Sequence, residues 1–235
     1  MTPRIALNAV LLACLLGAAA MPAKAEVEVG AGYGVVVPLG EMADVMGPVG
    51  HALDLELGYR FEKAWLALGG SLSWAWLGSQ AREAPDGAAA SLGNLRVRTD
   101  LTATLLEGFV RFQPRIGIVH PFVEALAGAS FANRTASLRD RVTRELWVSG
   151  QRHTDAAFTW GAGAGALVEV FRPAGGATRF AVDLRVRYLG GLRTSRYGGD
   201  AIVEEEGVPA IDAGAATVHR GLHALVAHAG FILLF

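Results

Sequence analysis

Acyl transfer or deacylation needs a hydroxyl nucleophile, an imidazole base and a carboxylate that converge. One stretch of the chain carries all three types: Ser195, then Asp200 and the run Glu204-Glu205-Glu206, then His219 and His223. No tight spacing joins the serine to either histidine. The stretch therefore reads as loop histidines beside a solvated acidic run, and no catalytic residue is assigned. The same four acids have the donor type for a divalent cation, but a block of like charges is normally solvated. No metal and no other cofactor is expected. His51, His120 and His153 fall in expected turns and loops.

A second set of ionisable residues has a different spacing. Glu28, then Asp54, Glu56 and Arg60, then Glu107 and Arg111, then Glu124, Glu169, Asp183, Arg185, Arg187 and His228 recur at even intervals within their segments. Even spacing puts residues on one face of a β-strand. Acids and arginines that share an enclosed face are stranded unless they pair. These twelve are therefore expected to form an interior ion-pair network, with His228 against a carboxylate such as Glu56 or Glu107.

The elements that would hold them alternate in polarity. Eight stretches do so: 27–35, 53–61, 66–77, 102–112, 122–131, 158–171, 180–188 and 222–235. The gaps alternate as well, long and then short, as an up-and-down barrel with long outer loops and short periplasmic turns requires. On the parity opposite the charges lie Leu53, Leu55 and Leu57, Trp74 and Trp76, Val123 to Phe131, Val182 to Tyr188, and Leu225 to Phe235. No Asp, Glu, Lys or Arg falls on that face, and His223 is its one ionisable residue. A lipid-facing Arg or Lys at the midplane costs about 2–4 kcal/mol, which keeps such a face clean. Aromatics mark its two edges. Trp74, Trp76, Phe131, Trp160 and Tyr188 fall at one end; Tyr59, Phe61, Phe112, Phe180, Phe231 and Phe235 fall at the other. Such rings favour membrane–water interfaces, so they are expected to form two girdles. The expected fold is all-β: a transmembrane antiparallel up-and-down β-barrel of eight strands, one domain over 26–235, monomeric, with both ends on the periplasmic side. Glycines on the inward parity, Gly163 and Gly165 among them, are expected to make room for long arginines.

Composition agrees with that reading. The net charge is −1, so nothing provides the basic face that nucleic acid needs. Hydrophobic residues make up 52% and mean hydropathy is +0.34, yet after residue 25 no apolar run is long enough for a spanning helix. Residues 1–25 read as a cleaved export signal: Arg4, an apolar stretch within 5–21, and Ala23-Lys24-Ala25 before Glu26. An uncleaved anchor, or lipid attached at Cys14, are the alternatives. Cys14 is the one cysteine, so the mature chain would have no disulfide.

At this point the chain resembles the eight-stranded outer-membrane β-barrels of the OmpA/OmpX type. The resemblance covers 26–235 and rests on the architecture and two local patterns. One is the aromatic-led strand start Pro121-Phe122-Val123-Glu124-Ala125-Leu126-Ala127-Gly128, in which Glu124 and Leu126 replace the more usual small residues. The other is the last strand, where His228, Gly230, Leu233 and Phe235 fit the family's assembly signal. The resemblance implies a bacterial outer-membrane location and recognition by the barrel-assembly machinery.

Wide aqueous channels need about 16 strands, so eight strands with a dozen inward ionisable groups argue against open conduction. The expected role is structural, or surface interaction through the outer loops, with outer-membrane lipid and lipopolysaccharide as partners. Arg134, Arg139, Arg141, Arg144 and Arg152, in the fifth gap, have the chemistry to pair with lipopolysaccharide phosphates. Passage or binding of a small hydrophobic solute is the alternative. A lipid-modifying enzyme is the second.

Overall fold

The computed structural model describes residues 25–46, 49–61, 64–83, 95–114, 116–140, 146–173, 178–197, 202–205, 208–211 and 216–235. The expected export signal lies outside these residues except for Ala25. The elements are β1 (Ala25–Leu39), α1 (Glu41–Met46), β2 (Gly50–Phe61), β3 (Leu66–Glu83), β4 (Leu95–Phe112) and β5 (Val119–Asp140). They continue with β6 (Leu146–Phe171), β7 (Arg179–Tyr197), β8 (Ile202–Glu205), β9 (Val208–Ile211) and β10 (Ala216–Leu234).

Eight of the strands close into one antiparallel barrel in the order β1-β10-β7-β6-β5-β4-β3-β2. Each pairs with its neighbour in sequence, and β1 meets β10 to close the ring. β8 and β9 form a separate small hairpin within the connection from β7 to β10. The eight-stranded up-and-down barrel is therefore as expected, with that hairpin in addition.

Alternation on β2 is the local reason for the fold. Its inward residues Ala52, Asp54, Glu56 and Arg60 are buried, while Leu53 and Leu55 between them are at least half exposed. The same contrast appears elsewhere: Val123, Leu184 and Phe231 face outward beside buried Glu124, Asp183 and Ile232. An apolar exterior around a charged interior reverses the order of a water-soluble protein and suits a sheet facing lipid.

Most strands are longer than alternation alone predicts. β5 runs nine residues past Phe131, and β6 begins fourteen residues before Trp160. Their ladder continues up to Arg139 opposite Leu146, so much of the expected fifth loop is a paired hairpin. The segment from Asn133 to Gly150 alternates on its own, which points to strands five and six extending above the membrane as a hairpin, and the backbone ladder continues there accordingly. Several register shifts fall at or beyond the height of the outer aromatics, and one, between Glu169 and Phe171, lies at the other end. An outer one lies between Trp76 and Gly78, where Gly78 has φ 112°, a conformation that favours glycine. His51, His120 and His153 are not in turns or loops: they lie within β2, β5 and β6.

α1 follows β1 directly. Gly40 has φ 56°, and its carbonyl accepts a hydrogen bond from the Ala43 N–H at 3.0 Å. The helix rests against β1, β3 and β10, and this places Met42, 2% exposed, over the barrel's outer end.

Candidate functional site

The interior contains two layers of different chemistry. The periplasmic and middle part is an ion-pair network. Arg111, on β4, is its hub and is fully buried. Its Nη1 donates to Glu28 at 3.3 Å and its Nη2 to Glu56 at 2.7 Å and Glu124 at 2.9 Å, while Nε donates to Glu124 at 3.1 Å. The rings of Phe109 and Phe122 lie 4.7 Å and 4.3 Å from the guanidinium carbon, covering the cation with aromatic faces.

Two arginines from β7 cross-link the same acids. Arg185 pairs with Glu56 and Asp183. Arg187 donates from Nε to Glu124 at 2.6 Å and reaches Asp54 and Glu56 at 3.4 Å each. Glycine makes the room, as expected: Gly163 and Gly165 of β6 lie opposite Arg187 and Arg185 in the ladder. A Cβ at Gly163 would come within 3.1 Å of Glu124 and Arg187, and one at Gly165 within 2.7 Å of Arg185 and Phe122. Below this layer Arg60 bridges Glu28 at 3.0 Å and Glu26 at 3.2 Å. Glu169 joins Arg179, Arg172 and His120, with Arg179 also reaching Glu26.

All twelve expected interior residues lie inside, but two depart from the expected bonding. Glu107 belongs to no ion pair among the described residues. Its Oε1 accepts a hydrogen bond from the Thr159 hydroxyl at 3.3 Å. His228 does not reach Glu56 or Glu107. Its nitrogens lie 3.5 Å from Asp183 and 3.6 Å from Asp54, and neither makes a hydrogen bond. The register explains this, since His228 is directly opposite Arg185 and Gly34, beside Asp54 rather than Glu107.

Above this floor the lumen turns apolar. Val36, Leu77, Leu105, Leu189, Leu192 and Val226 line a cup whose empty space is about 600 Å³, any open mouth included. Met42 of α1 is at its lid and Asp54, Glu107, Arg187 and His228 are at its base.

The outer surface carries the remaining expected residues. Trp74 stacks on Trp76 at 5.4 Å, and Trp160 meets Tyr188 at 5.8 Å, whose hydroxyl bonds His223 at 2.8 Å. Phe131 is 40% exposed beside them in height. At the other end Tyr59 packs edge-on against Phe61 and Phe171 against Phe180, with Phe112 edge-on to Trp65. Phe231 faces outward, 72% exposed, four residues before Phe235. In the expected assembly signal, Phe235 points outward while His228 and Gly230 face in; Leu233 is partly exposed. The backbone of Phe235 exchanges hydrogen bonds with Val27 at 3.0 and 3.2 Å, which closes the barrel.

Arg134 corrects an expectation. It is buried, 4% exposed, and so is not placed to meet lipopolysaccharide. The side chains of Arg139, Arg141, Arg144 and Arg152 lie outside the described residues. In the ladder Ser195 is opposite Val218 and His219 opposite Thr194, so the register does not pair serine with histidine. Sequence reasoning missed Glu26, Arg179 and His120 as network members. Glu26 has the parity of Glu28 and could have been found; the other two are at strand ends, where parity reading stops.

The family comparison agrees with this geometry. The family described as outer membrane protein beta-barrel domain matches residues 9–200. Among solved structures the chain is similar to the Neisserial surface protein A, with 12% identity, 88% of this chain and 95% of that one covered, and a TM-score of 0.45. It is similar to the attachment invasion locus protein Ail of Yersinia pestis, with 12% identity, 90% and 99% coverage, and a TM-score of 0.47. A major outer membrane protein of Thermus thermophilus aligns with 14% identity, 90% and 99% coverage, and a TM-score of 0.48. No curated protein matches the chain. A closed eight-stranded barrel, lipid-facing outside and ion-paired inside, and a family match over most of its length lead to one conclusion: the chain belongs to the outer membrane protein beta-barrel domain family.

Proposed function

We propose that this protein is a non-enzymatic surface barrel of the bacterial outer membrane, acting through its outer hairpins and not as an open pore. The observation that carries the reading is the continuation of β5 and β6 as one ladder beyond Phe131, up to Arg139 opposite Leu146. At about 3.4 Å per residue, the eight residues from Phe131 to Arg139 project roughly 27 Å along the strand. That reaches through the headgroup region into the zone occupied by lipopolysaccharide sugars and phosphates. Ordered strands there hold side chains at fixed spacing, which a floppy loop does not.

The lumen supports the same reading. Arg111, Arg185 and Arg187 are each bound to two or more carboxylates across the barrel, so ions meet fixed salt bridges instead of water. Lipopolysaccharide is the partner that fits, held by Arg139, Arg141, Arg144 and Arg152 as phosphate ligands; Arg134 is excluded by its burial. In the same reading an N-terminal export signal directs the chain outward, and His228, Gly230, Leu233 and Phe235 present the closing strand to the barrel-assembly machinery. The barrel works as a monomer.

The test replaces the four arginines with Gln in the full-length protein and compares its association with lipopolysaccharide vesicles against phospholipid vesicles. The expected result is selective loss of the lipopolysaccharide preference with the barrel still folded. An unchanged preference would reject the lipopolysaccharide role.

A further inference from the structure

The cup above the ion pairs is built like a binding site. Its wall is aliphatic, with Leu105, Leu189 and Val226 prominent, and Met42 closes it from the outer side. Small-molecule sites are concave and mostly apolar, with a few placed polar groups. Here the polar groups are confined to the base. Arg187 is already committed to Glu124, Asp54 and Glu56. Asp54 has the Ser73 hydroxyl and Arg187.

Glu107 differs from both. It is 3% exposed and lines the cup, and no cation of the described residues lies within 4.0 Å of it. Its Oε1 has the Thr159 hydroxyl, and no partner occupies Oε2 among the described residues. His228, also buried and at the base of the cup, has two ring nitrogens without a hydrogen bond. The Arg187 guanidinium is thus divided among Asp54, Glu56 and Glu124, and Glu107 pairs with none of the described cations. A buried carboxylate without a cation at the end of an apolar sleeve is an uncompensated group, and the ligand that compensates it carries both a cation and an apolar body.

We propose that the cup binds a hydrophobic primary amine, its ammonium on Glu107 and its alkyl chain against the aliphatic wall. From His228 to Ala224 the cup extends four residues of β10, about 13 Å along the strand at ~3.3 Å per residue. That depth suits a chain of medium length.

The test uses the full-length protein in lipid nanodiscs and three probes with one chain length: octylamine, octanol and octanoate. Methyl resonances of Leu105 and Leu189 report occupancy. Saturable shifts with octylamine and none with octanoate are expected. Glu107→Gln keeps an acceptor for Thr159, and it should weaken octylamine at least tenfold while octanol changes less than twofold. Ala103→Trp, or the milder Ala75→Leu should the first not fold, fills the cup and should abolish the octylamine shift while lipid-facing methyls are unmoved. The proposal is overturned if octylamine gives no saturable shift, if octanol or octanoate binds as well as octylamine, or if Glu107→Gln leaves octylamine binding unchanged.

Discussion

Replacing Arg111 with Met isolates what the hub does. Met approximates the aliphatic stem but removes four hydrogen bonds to three buried carboxylates, Glu28, Glu56 and Glu124, and the cation between Phe109 and Phe122. Breaking a buried pair by removing one partner costs about 3–5 kcal/mol, because the other charge stays buried. Here each acid retains another cation: Arg60 for Glu28, Arg185 and Arg187 for Glu56, Arg187 for Glu124. The expected cost is therefore at the lower end, about 3 kcal/mol, or roughly 100-fold in the folding equilibrium. Urea unfolding from phospholipid vesicles, followed by the fluorescence of the five tryptophans, measures it. Arg98→Ala is the internal control. Its pair with Asp100 is about half exposed, so its loss should cost about 1 kcal/mol or less. The reasoning fails if Arg111→Met is destabilised no more than Arg98→Ala.

Three further outcomes follow from the same geometry. Gly32→Ala places a Cβ 2.1 Å from His228 Nε2, and should lower stability by about 1–3 kcal/mol, partly recovered in Gly32→Ala/His228→Ala; a fully stable single variant contradicts the packing. Leu184→Arg, on the exposed mid-strand face of β7, should cost about 2–4 kcal/mol in vesicles; no cost would mean that this face does not meet hydrocarbon. Phe235→Ser should reduce assembled, heat-modifiable barrel in the outer-membrane fraction far more than Asn133→Ser, at an exposed outer position; equal amounts would leave the closing aromatic without a role.

The barrel was legible wherever one face of a strand carried charge. Asp54, Glu56 and Arg60, and again Asp183, Arg185 and Arg187, assign both faces of their strands without knowledge of the fold. The glycines opposite Arg185 and Arg187 were readable for the same reason, since an enclosed arginine needs volume from its neighbour. Alternation fails where both faces are apolar, and this hid the cup. Leu105 points inward between outward Thr104 and Leu106, and Leu189 follows Tyr188, so hydropathy shows one unbroken stretch. The extension of β5 and β6 above the membrane was legible in part, because the segment from Asn133 to Gly150 alternates on its own and points to a hairpin there, as the ladder up to Arg139 opposite Leu146 shows. His120 falls in the short gap 113–121 between two alternating stretches and so reads as a turn residue, yet it is buried against Glu169 at 2.9 Å. Exact ion-pair partners were not legible either. They depend on the stagger around the ring, which puts His228 beside Asp54 and leaves Glu107 with Thr159.

The central claim is that a lattice of buried ion pairs fills the periplasmic and middle part of the lumen and closes it. Planar-bilayer recording on the purified barrel tests that claim directly. The wild-type protein should show no discrete conductance steps over a range of voltages, whereas steady, ohmic openings from the wild-type barrel would contradict it.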